Sequence, residues 1–194
     1  MEKLFDTSKL IDDKIVRVMT SKIKNEYIRE IIDAGSGKTS ASLALKYFPK
    51  AHVTAIVYPG DFRKKNPLET AVDSDRLDVV EADFCSGYPA TKFDFCLIHK
   101  TLGEAMRFGN SFESLFHVLM DINARYFVLI DVLEDPCVHY RYIEQYLKEK
   151  GYKIRLKKIF KNPKPEHYPK IKHDKYKLEY DSKHYVSYLI ERVR

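Results

Sequence analysis

The chain has 194 residues, with 34 Lys or Arg against 28 Asp or Glu and a formal net charge of +6. Its hydrophobic content of 44% is too high for a disordered protein. No apolar run reaches the roughly 18–20 residues that a membrane span needs, and the N-terminus lacks the apolar stretch of a signal peptide. We therefore expect one soluble, cytoplasmic domain covering 1–194, with an N-terminal helical segment over 1–30 and no membrane contact.

The cysteines and histidines give no sign of a cross-link or a metal. Cys85, Cys96 and Cys137 are odd in number and widely spaced, and the chain has no C-x-x-C pair. This spacing argues against a disulfide framework and against a zinc site. No pair of histidines has the i, i+4 spacing of a helical metal site with supporting ligands, so the sequence predicts no bound metal.

Positive charge is concentrated in the C-terminal quarter. Residues 151–194 hold 13 Lys or Arg and five acids, whereas residues 1–150 are slightly acidic, with a net charge of −2. Within the basic quarter, 161–183 is rich in Lys, Pro, His and Tyr, which predicts a basic, aromatic insertion or a lid. Such a composition suits single-stranded nucleic acid, but a solvated surface or a lid packed on the sheet explains it equally well.

Apolar periodicity and turn residues predict an alternation of strands and helices. The first element is an amphipathic helix over about 8–24, which we expect to pack on the edge of the sheet. Extended apolar runs predict strands at 28–32, 52–58, 77–82, 93–98, 125–132, 152–160 and 184–193. Helical patterns cover 38–47, 111–124 and 136–150, with Ser111 and Asp135 as N-caps, Pro136 at a first helical position and Gly151 as a C′ glycine.

The order of these elements predicts the fold class. Five strand-then-helix units are followed by two strands that leave no room for a crossover helix between them. This order is typical of an α/β protein with an open, mostly parallel sheet and one antiparallel insertion near its edge. In such sheets a ligand binds outside the carboxyl ends of the strands, near the point where the strand order reverses.

The turn after the first strand, DAGSGKT over 33–39, carries the strongest motif. Gly35 and Gly37 let the backbone approach a ligand closely, and Asp33 places a carboxylate at the same mouth. A nucleotide-phosphate loop needs a glycine five residues before Gly37, where Ile32 stands. A dinucleotide site needs a third glycine where the chain has a serine, and the Asp33 carboxylate would repel its pyrophosphate.

A third interpretation fits the carboxylate better, because the amine and sulfonium of S-adenosylmethionine are cationic. The motif DAGSG over 33–37 resembles the first motif of class I S-adenosylmethionine-dependent methyltransferases. The resemblance covers nearly the whole chain and includes Asp83-Phe84 after the third strand and the run FDFCLIH over 93–99. It implies a three-layer α/β/α sandwich around a mostly parallel seven-stranded sheet with an antiparallel last strand, and it implies methyl transfer.

The resemblance also implies a set of cofactor-binding residues. Family members often contact the adenine after the third strand, and they usually hold the ribose with an acid at the end of the second strand. Here the second strand ends in Tyr58, so either the turn brings Asp61 back or Tyr58 packs on the nucleoside. The residues implied to bind S-adenosylmethionine are Asp33, Gly35, Ser36, Gly37, Tyr58, Asp61, Asp83, Phe84 and His99.

His99, at the carboxyl end of the fourth strand, is the catalytic residue that we predict, since an imidazole can take a proton from an acceptor. Asp131 and Glu134 are alternative bases, and Lys100 either anchors the substrate or is solvated. Ordinary structural roles compete with these assignments. Asp33 could cap the following helix, and the ring nitrogens of His99 could have structural partners and no catalytic role.

The sequence thus predicts an S-adenosylmethionine-dependent methyltransferase whose acceptor is a small molecule or RNA, the latter bound by the basic region 151–194. The Asn/Asp-Pro-Pro-aromatic signature of amino-group methyltransferases that act on bases is absent, since 99–102 reads HKTL. The alternative is a non-catalytic methyltransferase-like domain that binds the cofactor or RNA, because no acid ends the second strand. The sequence assigns neither the acceptor atom nor an oligomeric state.

Overall fold

The computed structural model describes residues 2–36, 39–57, 75–83, 91–105, 111–162, 171–173, 178–180 and 183–193. Its strands are β1 (Glu30–Ala34), β2 (His52–Val57), β3 (Leu77–Glu81), β4 (Phe93–His99), β5 (Ala124–Val132), β6 (Tyr152–Lys161), β7 (Ile171–His173), β8 (Leu178–Tyr180) and β9 (His184–Arg192). The α-helices are α1 (Glu2–Thr20), α2 (Ser40–Tyr47), α3 (Leu102–Ala105), α4 (Phe112–Asp121) and α5 (Tyr140–Glu149), and a short 3₁₀ helix spans Asn25–Tyr27.

Seven strands form one mixed sheet in the order β3–β2–β1–β4–β5–β9–β6. The pairings among β1 to β5 are parallel, and β9 is inserted antiparallel to both β5 and β6. The predicted antiparallel last strand is therefore confirmed. The short strands β7 and β8 pair with each other in a separate two-stranded sheet. Most of the residues that connect β2 to β3 and β3 to β4 lie outside the described ranges.

The central strands are apolar because both faces of the sheet are covered. In β5, every residue from 127 to 132 is buried, as expected for a strand with neighbours above and below it. Helices α4 and α5 pack on one face, where Phe116 and Ile143 join the core. Helices α1 and α2 pack on the other face, so the architecture is a three-layer α/β/α sandwich, as predicted.

Helix α1 lies over the middle of the sheet, so the prediction that it packs on the sheet edge is wrong. Its residues Ile15 and Met19 are fully buried and share a core with Phe95 of β4, Val128 of β5 and Leu189 of β9. These three strands are neighbours near the centre of the sheet. No described helix combines the length and the apolar content that crossing a bilayer requires.

Helix ends follow the sequence signals at two sites and depart from them at a third. The Ser111 side chain accepts a hydrogen bond from the Ser114 backbone N–H and caps α4, and Gly151 takes φ +74° after α5. The predicted helix over 136–150 begins only at Tyr140. Asp135 Oδ1 accepts a hydrogen bond from the Cys137 N–H at 2.8 Å, so this carboxylate closes a turn before the helix instead of capping it.

Candidate functional site

The carboxyl ends of β1, β4 and β5 meet where the strand order reverses. Ala34 at the end of β1 pairs with Ile98 of β4, and His99 at the end of β4 pairs with Ile130 of β5. The chain continues from β1 to β2 on one side and from β4 to β5 on the other, and ligands of open α/β sheets bind at such a point. The sequence predicted a ligand site at this edge, which we call the ligand edge.

Gly35 packs against Thr101 in the turn that leaves β1. Gly35 has φ +79°, and an added Cβ there would lie 2.5 Å from Thr101 Oγ1 and 2.6 Å from Thr101 Cγ2. The Thr101 hydroxyl donates a hydrogen bond to the Ala34 carbonyl at 2.8 Å, and the Ser36 N–H donates to the Ile56 carbonyl of β2 at 2.7 Å. The turn is thus fixed to both neighbouring strands, and only glycine fits at its first position.

Asp33 is fully buried beneath this turn. Its Oδ2 accepts hydrogen bonds from the hydroxyls of Ser36 at 2.6 Å and Ser40 at 2.7 Å. Its Oδ1 is buried and has no hydrogen-bond partner among the described residues. Burial raises the pKa of Asp33 to about 6, although the two serine hydroxyls and the charge of His99 act in the opposite direction. Asp33 therefore keeps one unpaired, buried acceptor atom beneath the turn at the ligand edge.

His99 is in contact with an acid that the sequence analysis did not single out. Asp12 of α1 lies against the end of β4, with Oδ1 3.3 Å from His99 Nε2 and Oδ2 3.2 Å from Lys100 Nζ. Burial alone would raise the pKa of Asp12, but His99 and Lys100 together hold it below its ordinary value. Asp12 is thus a buried carboxylate between two basic side chains at the ligand edge.

Lys100 is held in place and is not a freely solvated side chain. Its backbone takes the left-handed conformation with φ 56°, which is uncommon for a residue other than glycine. The Lys100 N–H donates a hydrogen bond to the Ile130 carbonyl at 2.7 Å, and Nζ lies 4.8 Å from the centre of the Tyr185 ring. Burial lowers the pKa of Lys100, but Asp12 and Tyr185 outweigh this effect and raise it overall.

Asp131 uses both carboxylate oxygens to hold the backbone. Oδ2 accepts a hydrogen bond from the Leu102 N–H at 3.1 Å, and Oδ1 accepts one from the Val132 N–H at 2.9 Å. Burial and the nearby charge of Asp135 raise the pKa of Asp131 to about 7, although hydrogen bonds from the backbone N–H groups of Val132, Gly103 and Leu102 act in the opposite direction. The carboxylate therefore fixes the start of α3 beside the site.

We expect the free energy of unfolding to fall as the pH rises from 5 to 8. The pKa of Asp131 is about 7 in the folded chain against an ordinary value of 3.8, so the folded state holds the extra proton between these values. Its contribution to stability is lost as the pH rises through 7, by an amount on the order of 2 kcal/mol. Urea denaturation at pH 5, 6.5 and 8 measures this decrease. In the Asp131→Asn variant the free energy of unfolding should depend less on pH. Equal pH dependence in the two proteins would contradict the prediction.

Glu134 joins the end of β5 to the start of β9. Its Oε1 lies 2.6 Å from His184 Nδ1, and its Oε2 accepts a hydrogen bond from the His184 N–H at 3.0 Å. Since β9 is antiparallel, its first residue lies at the ligand edge. The segment 162–183, which connects β6 to β9, therefore leaves and returns at the ligand edge, where Lys161 pairs with His184.

The structure brings some of the predicted site residues together and does not describe others. Asp33, Gly35, Ser36 and His99 lie at the ends of the adjacent strands β1 and β4. Asp83 is half-buried directly after β3, which is two strands away from β1. Gly37, Tyr58, Asp61 and Phe84 lie outside the described residues. Within the described part of the chain, no three His, Cys, Asp or Glu side chains are arranged to hold a metal ion.

Asp12 is the site residue that sequence reasoning missed, although the sequence carries a signal for it. Helical spacing of i, i+3, i+4 and i+7 places Asp12 on the same face as Ile15, Val16 and Met19. All three apolar residues are buried against the sheet. An acid on an apolar helix face needs a buried partner, and that requirement could have drawn attention to Asp12.

Comparisons with known proteins establish the fold. No protein-family model and no curated protein sequence matches the chain. The magnesium protoporphyrin IX methyltransferase of Synechocystis PCC 6803, solved with bound S-adenosylmethionine, matches with a TM-score of 0.67 and 13% identity over 96% of this chain and 80% of its own. The N-methyltransferase NodS of Bradyrhizobium japonicum WM9 matches with a TM-score of 0.64 and 10% identity over 97% of this chain and 99% of its own.

An rRNA methylase of Escherichia coli matches with a TM-score of 0.57 and 16% identity. The match covers 91% of this chain but only 62% of the methylase, so the chain spans less than two thirds of that protein. The chain therefore has the Rossmann-like fold of the class I S-adenosylmethionine-dependent methyltransferases. The structural neighbours with this fold include enzymes named for RNA and for small-molecule acceptors.

Proposed function

We propose that this protein transfers a methyl group from S-adenosylmethionine to an acceptor. The observation that carries the proposal is the buried carboxylate of Asp33, whose Oδ1 has no hydrogen-bond partner among the described residues. Leaving such an atom unpaired costs about 1–3 kcal/mol, so it calls for a donor that arrives with a ligand. The cofactor's ammonium group is a donor of the required charge.

The residues at the ligand edge fit this cofactor. Asp33 would receive its cationic groups, while the turn at Gly35 and Ser36 keeps bulky side chains away from the strand ends. The other proposed contacts are Gly37, Tyr58, Asp61, Asp83, Phe84 and His99. When bound, the cofactor supplies an electrophilic methyl group. The chain's part is to align the acceptor and, through His99, to remove a proton from it. The proposal treats 1–194 as a single methyltransferase domain, with 161–183 as an insertion or lid.

Calorimetric titration of S-adenosylmethionine and S-adenosylhomocysteine into the full chain tests the proposal. Binding in the micromolar range supports it, and no binding at millimolar cofactor overturns it. If the cofactor binds but no candidate acceptor yields S-adenosylhomocysteine, the alternative of a non-catalytic methyltransferase-like domain gains support. If no cofactor binds, Asp33 acts only as part of a scaffold held by Ser36 and Ser40.

RNA is our leading proposal for a macromolecular acceptor or partner, and the edge strand β6 supports it. This strand carries exposed Lys153, Arg155, Lys157 and Lys158 and ends at the ligand edge. Arg155 contacts Glu191 and Lys157 contacts Glu144, whereas Lys153 and Lys158 have no acidic partner among the described residues. Two uncompensated cations along a strand that leads to the site can follow a phosphate backbone.

We expect single-stranded RNA to bind with an affinity that falls steeply as salt increases. Replacing Lys153 and Lys158 by Gln should lower the slope of log affinity against log salt by about 0.7 for each lost phosphate contact. Fluorescence anisotropy with a labelled oligonucleotide at several salt concentrations measures the slope. The control is Lys50→Gln, which removes an exposed charge just before β2, at the opposite edge of the sheet. An unchanged slope in the double variant would count against β6 as the RNA surface.

A further inference from the structure

Helix α1 delivers a carboxylate to the imidazole at the end of β4. The Asp12 side chain is 4% exposed and the His99 side chain 9%, and Oδ1 and Nε2 are 3.3 Å apart. Both atoms are buried, and neither forms a hydrogen bond with a described residue. Catalytic contacts of this kind are often loose before a ligand binds and tighten in the complex. The two side chains are therefore in close contact without a hydrogen bond between them.

The two nitrogens of the His99 ring differ in their surroundings, since only Nε2 lies against Asp12. Because Nε2 faces Asp12, Nδ1 is the ring nitrogen left for a ligand, and the partner of one nitrogen determines which nitrogen carries the proton. We propose that Asp12 is a positioning residue that holds the His99 proton on Nε2 and keeps Nδ1 open as the base at the ligand edge. This inference rests on the proposed methyl transfer. The proton of an acceptor hydroxyl would move to Nδ1, and the electron pair of the broken O–H bond would stay on the oxygen.

Stability alone is a poor reason for the pair. A buried ion pair contributes little net stability, since apolar side chains of similar size often do as well or better. Asp12 also sits on a helix face whose other members, Ile15 and Met19, are apolar. The role that remains for a carboxylate at this position is to position His99.

Other charges around the pair must be considered in any test that depends on pH. His99 is faced by Asp12 of α1 and by the charge of Asp33 in β1. Lys100 follows His99 in the chain and contacts the second oxygen of Asp12. Asp131 of β5 and Tyr185 of β9 act on the pair through Lys100. The variants must therefore change Asp12 alone.

Modification by diethyl pyrocarbonate, read out by mass spectrometry of the full chain, tests the proposal because only an unprotonated, accessible imidazole nitrogen reacts. Without the Asp12 carboxylate 3.3 Å from Nε2, the proton is shared between the two ring nitrogens while Nε2 stays buried, so at pH 9 His99 in Asp12→Asn should react about twofold more slowly than in the wild type. The matched control is Asp13→Asn, which removes the same charge from the next position, where Asp13 contacts Lys46 on the surface.

Several outcomes would overturn the proposal. Equal rates at pH 9 in Asp12→Asn and the wild type would show that Asp12 does not hold the proton on Nε2 of His99. Absence of His99 modification at pH 9 in the wild type would show that Nδ1 is closed. Should Asp12→Asn fail to fold, nitrogen-15 NMR of the wild type at pH 9 decides: a proton on Nε2 supports the proposal, and one on Nδ1 refutes it.

A final comparison separates this proposal from the proposed function. S-adenosylhomocysteine should slow the modification of His99 in the wild type at least severalfold. If calorimetry detects binding but His99 is not protected, His99 does not face the ligand and the inference is wrong. If calorimetry detects no binding, methyl transfer is wrong as proposed, while the comparison of Asp12→Asn with the wild type at pH 9 still decides whether Asp12 controls His99.

Discussion

Replacing Asp33 by Asn is expected to weaken the binding of S-adenosylmethionine at least about 30-fold, since removing one member of a buried charge pair costs about 2–5 kcal/mol. Asn keeps the size of the side chain and one oxygen that can accept the hydroxyls of Ser36 and Ser40. What it removes is the negative charge and the open Oδ1 acceptor. Calorimetric titration of both proteins at pH 7.5 measures the loss.

The matched control is Asp94→Asn at the opposite end of the same sheet. Asp94 precedes the buried part of β4 and accepts hydrogen bonds from the backbone N–H groups of Arg29 at 2.8 Å and Glu30 at 3.1 Å. Asp94 lies at the amino ends of the parallel strands, away from the ligand edge, so its replacement should leave cofactor affinity unchanged. Equal affinities of Asp33→Asn and the wild type would refute the assignment of Asp33 and remove the main support for the proposed function.

The same carboxylate predicts how binding depends on pH. Since the pKa of Asp33 is about 6 and a cationic ligand requires the ionised form, wild-type affinity should fall about tenfold between pH 7 and pH 5. Binding near pH 6 should release a proton, which calorimetry detects as a dependence of the heat on the buffer. Asp33→Asn should show neither effect.

Gly35→Ala is expected to cost about 2–4 kcal/mol of stability, because two penalties add at this position. An alanine at this position is strained in the left-handed conformation at φ +79°, and its Cβ would overlap Oγ1 and Cγ2 of Thr101. Thr101 cannot simply move aside, since its hydroxyl is bonded to the Ala34 carbonyl. Urea denaturation of the two proteins measures the difference.

Gly151→Ala separates the two penalties. Gly151 has a similar φ of +74°, but nothing lies within 4 Å of an added Cβ, so this change should cost only about 1–2 kcal/mol. The overlap at Gly35 is tested directly by a double-mutant cycle, since Gly35→Ala should cost less when Thr101 is already Ala. A cost at Gly35 equal to that at Gly151 would contradict a tight contact with Thr101.

Local signals in the sequence predicted the parts of the fold that depend on local physics. Ser111 caps α4 and Gly151 ends α5 as expected, because both roles depend on residues within one turn. The strand positions followed from apolar runs, and the antiparallel insertion of β9 followed from the order of the elements and from the family resemblance. The predicted start of α5 was wrong because an Asp side chain can either cap a helix or close a turn. Here Asp135 accepts a hydrogen bond from the Cys137 N–H in a turn.

The candidate site was predictable only in part, because its pairings join distant parts of the chain. The glycine turn marked Asp33 as a site residue, but nothing indicated that Ser36 and Ser40 would share one of its oxygens. Asp12 and His99 come together only because α1 crosses the middle of the sheet. That placement depends on which helix face meets which strand, and a single sequence specifies it only through the packing of the complete core.

The position of β9 also means that contacts between distant residues complete the sheet. β9 separates β5 from β6 although it follows both in sequence, and it pairs residues as distant as Tyr126 and Glu191. Until β9 is in place, the apolar strand β5 has an open edge and β6 has no partner in the main sheet. Such contacts between distant residues form slowly, and an open apolar edge is a template for another chain. The insertion that completes the native sheet thus leaves the half-folded protein exposed to aggregation until its last strand arrives.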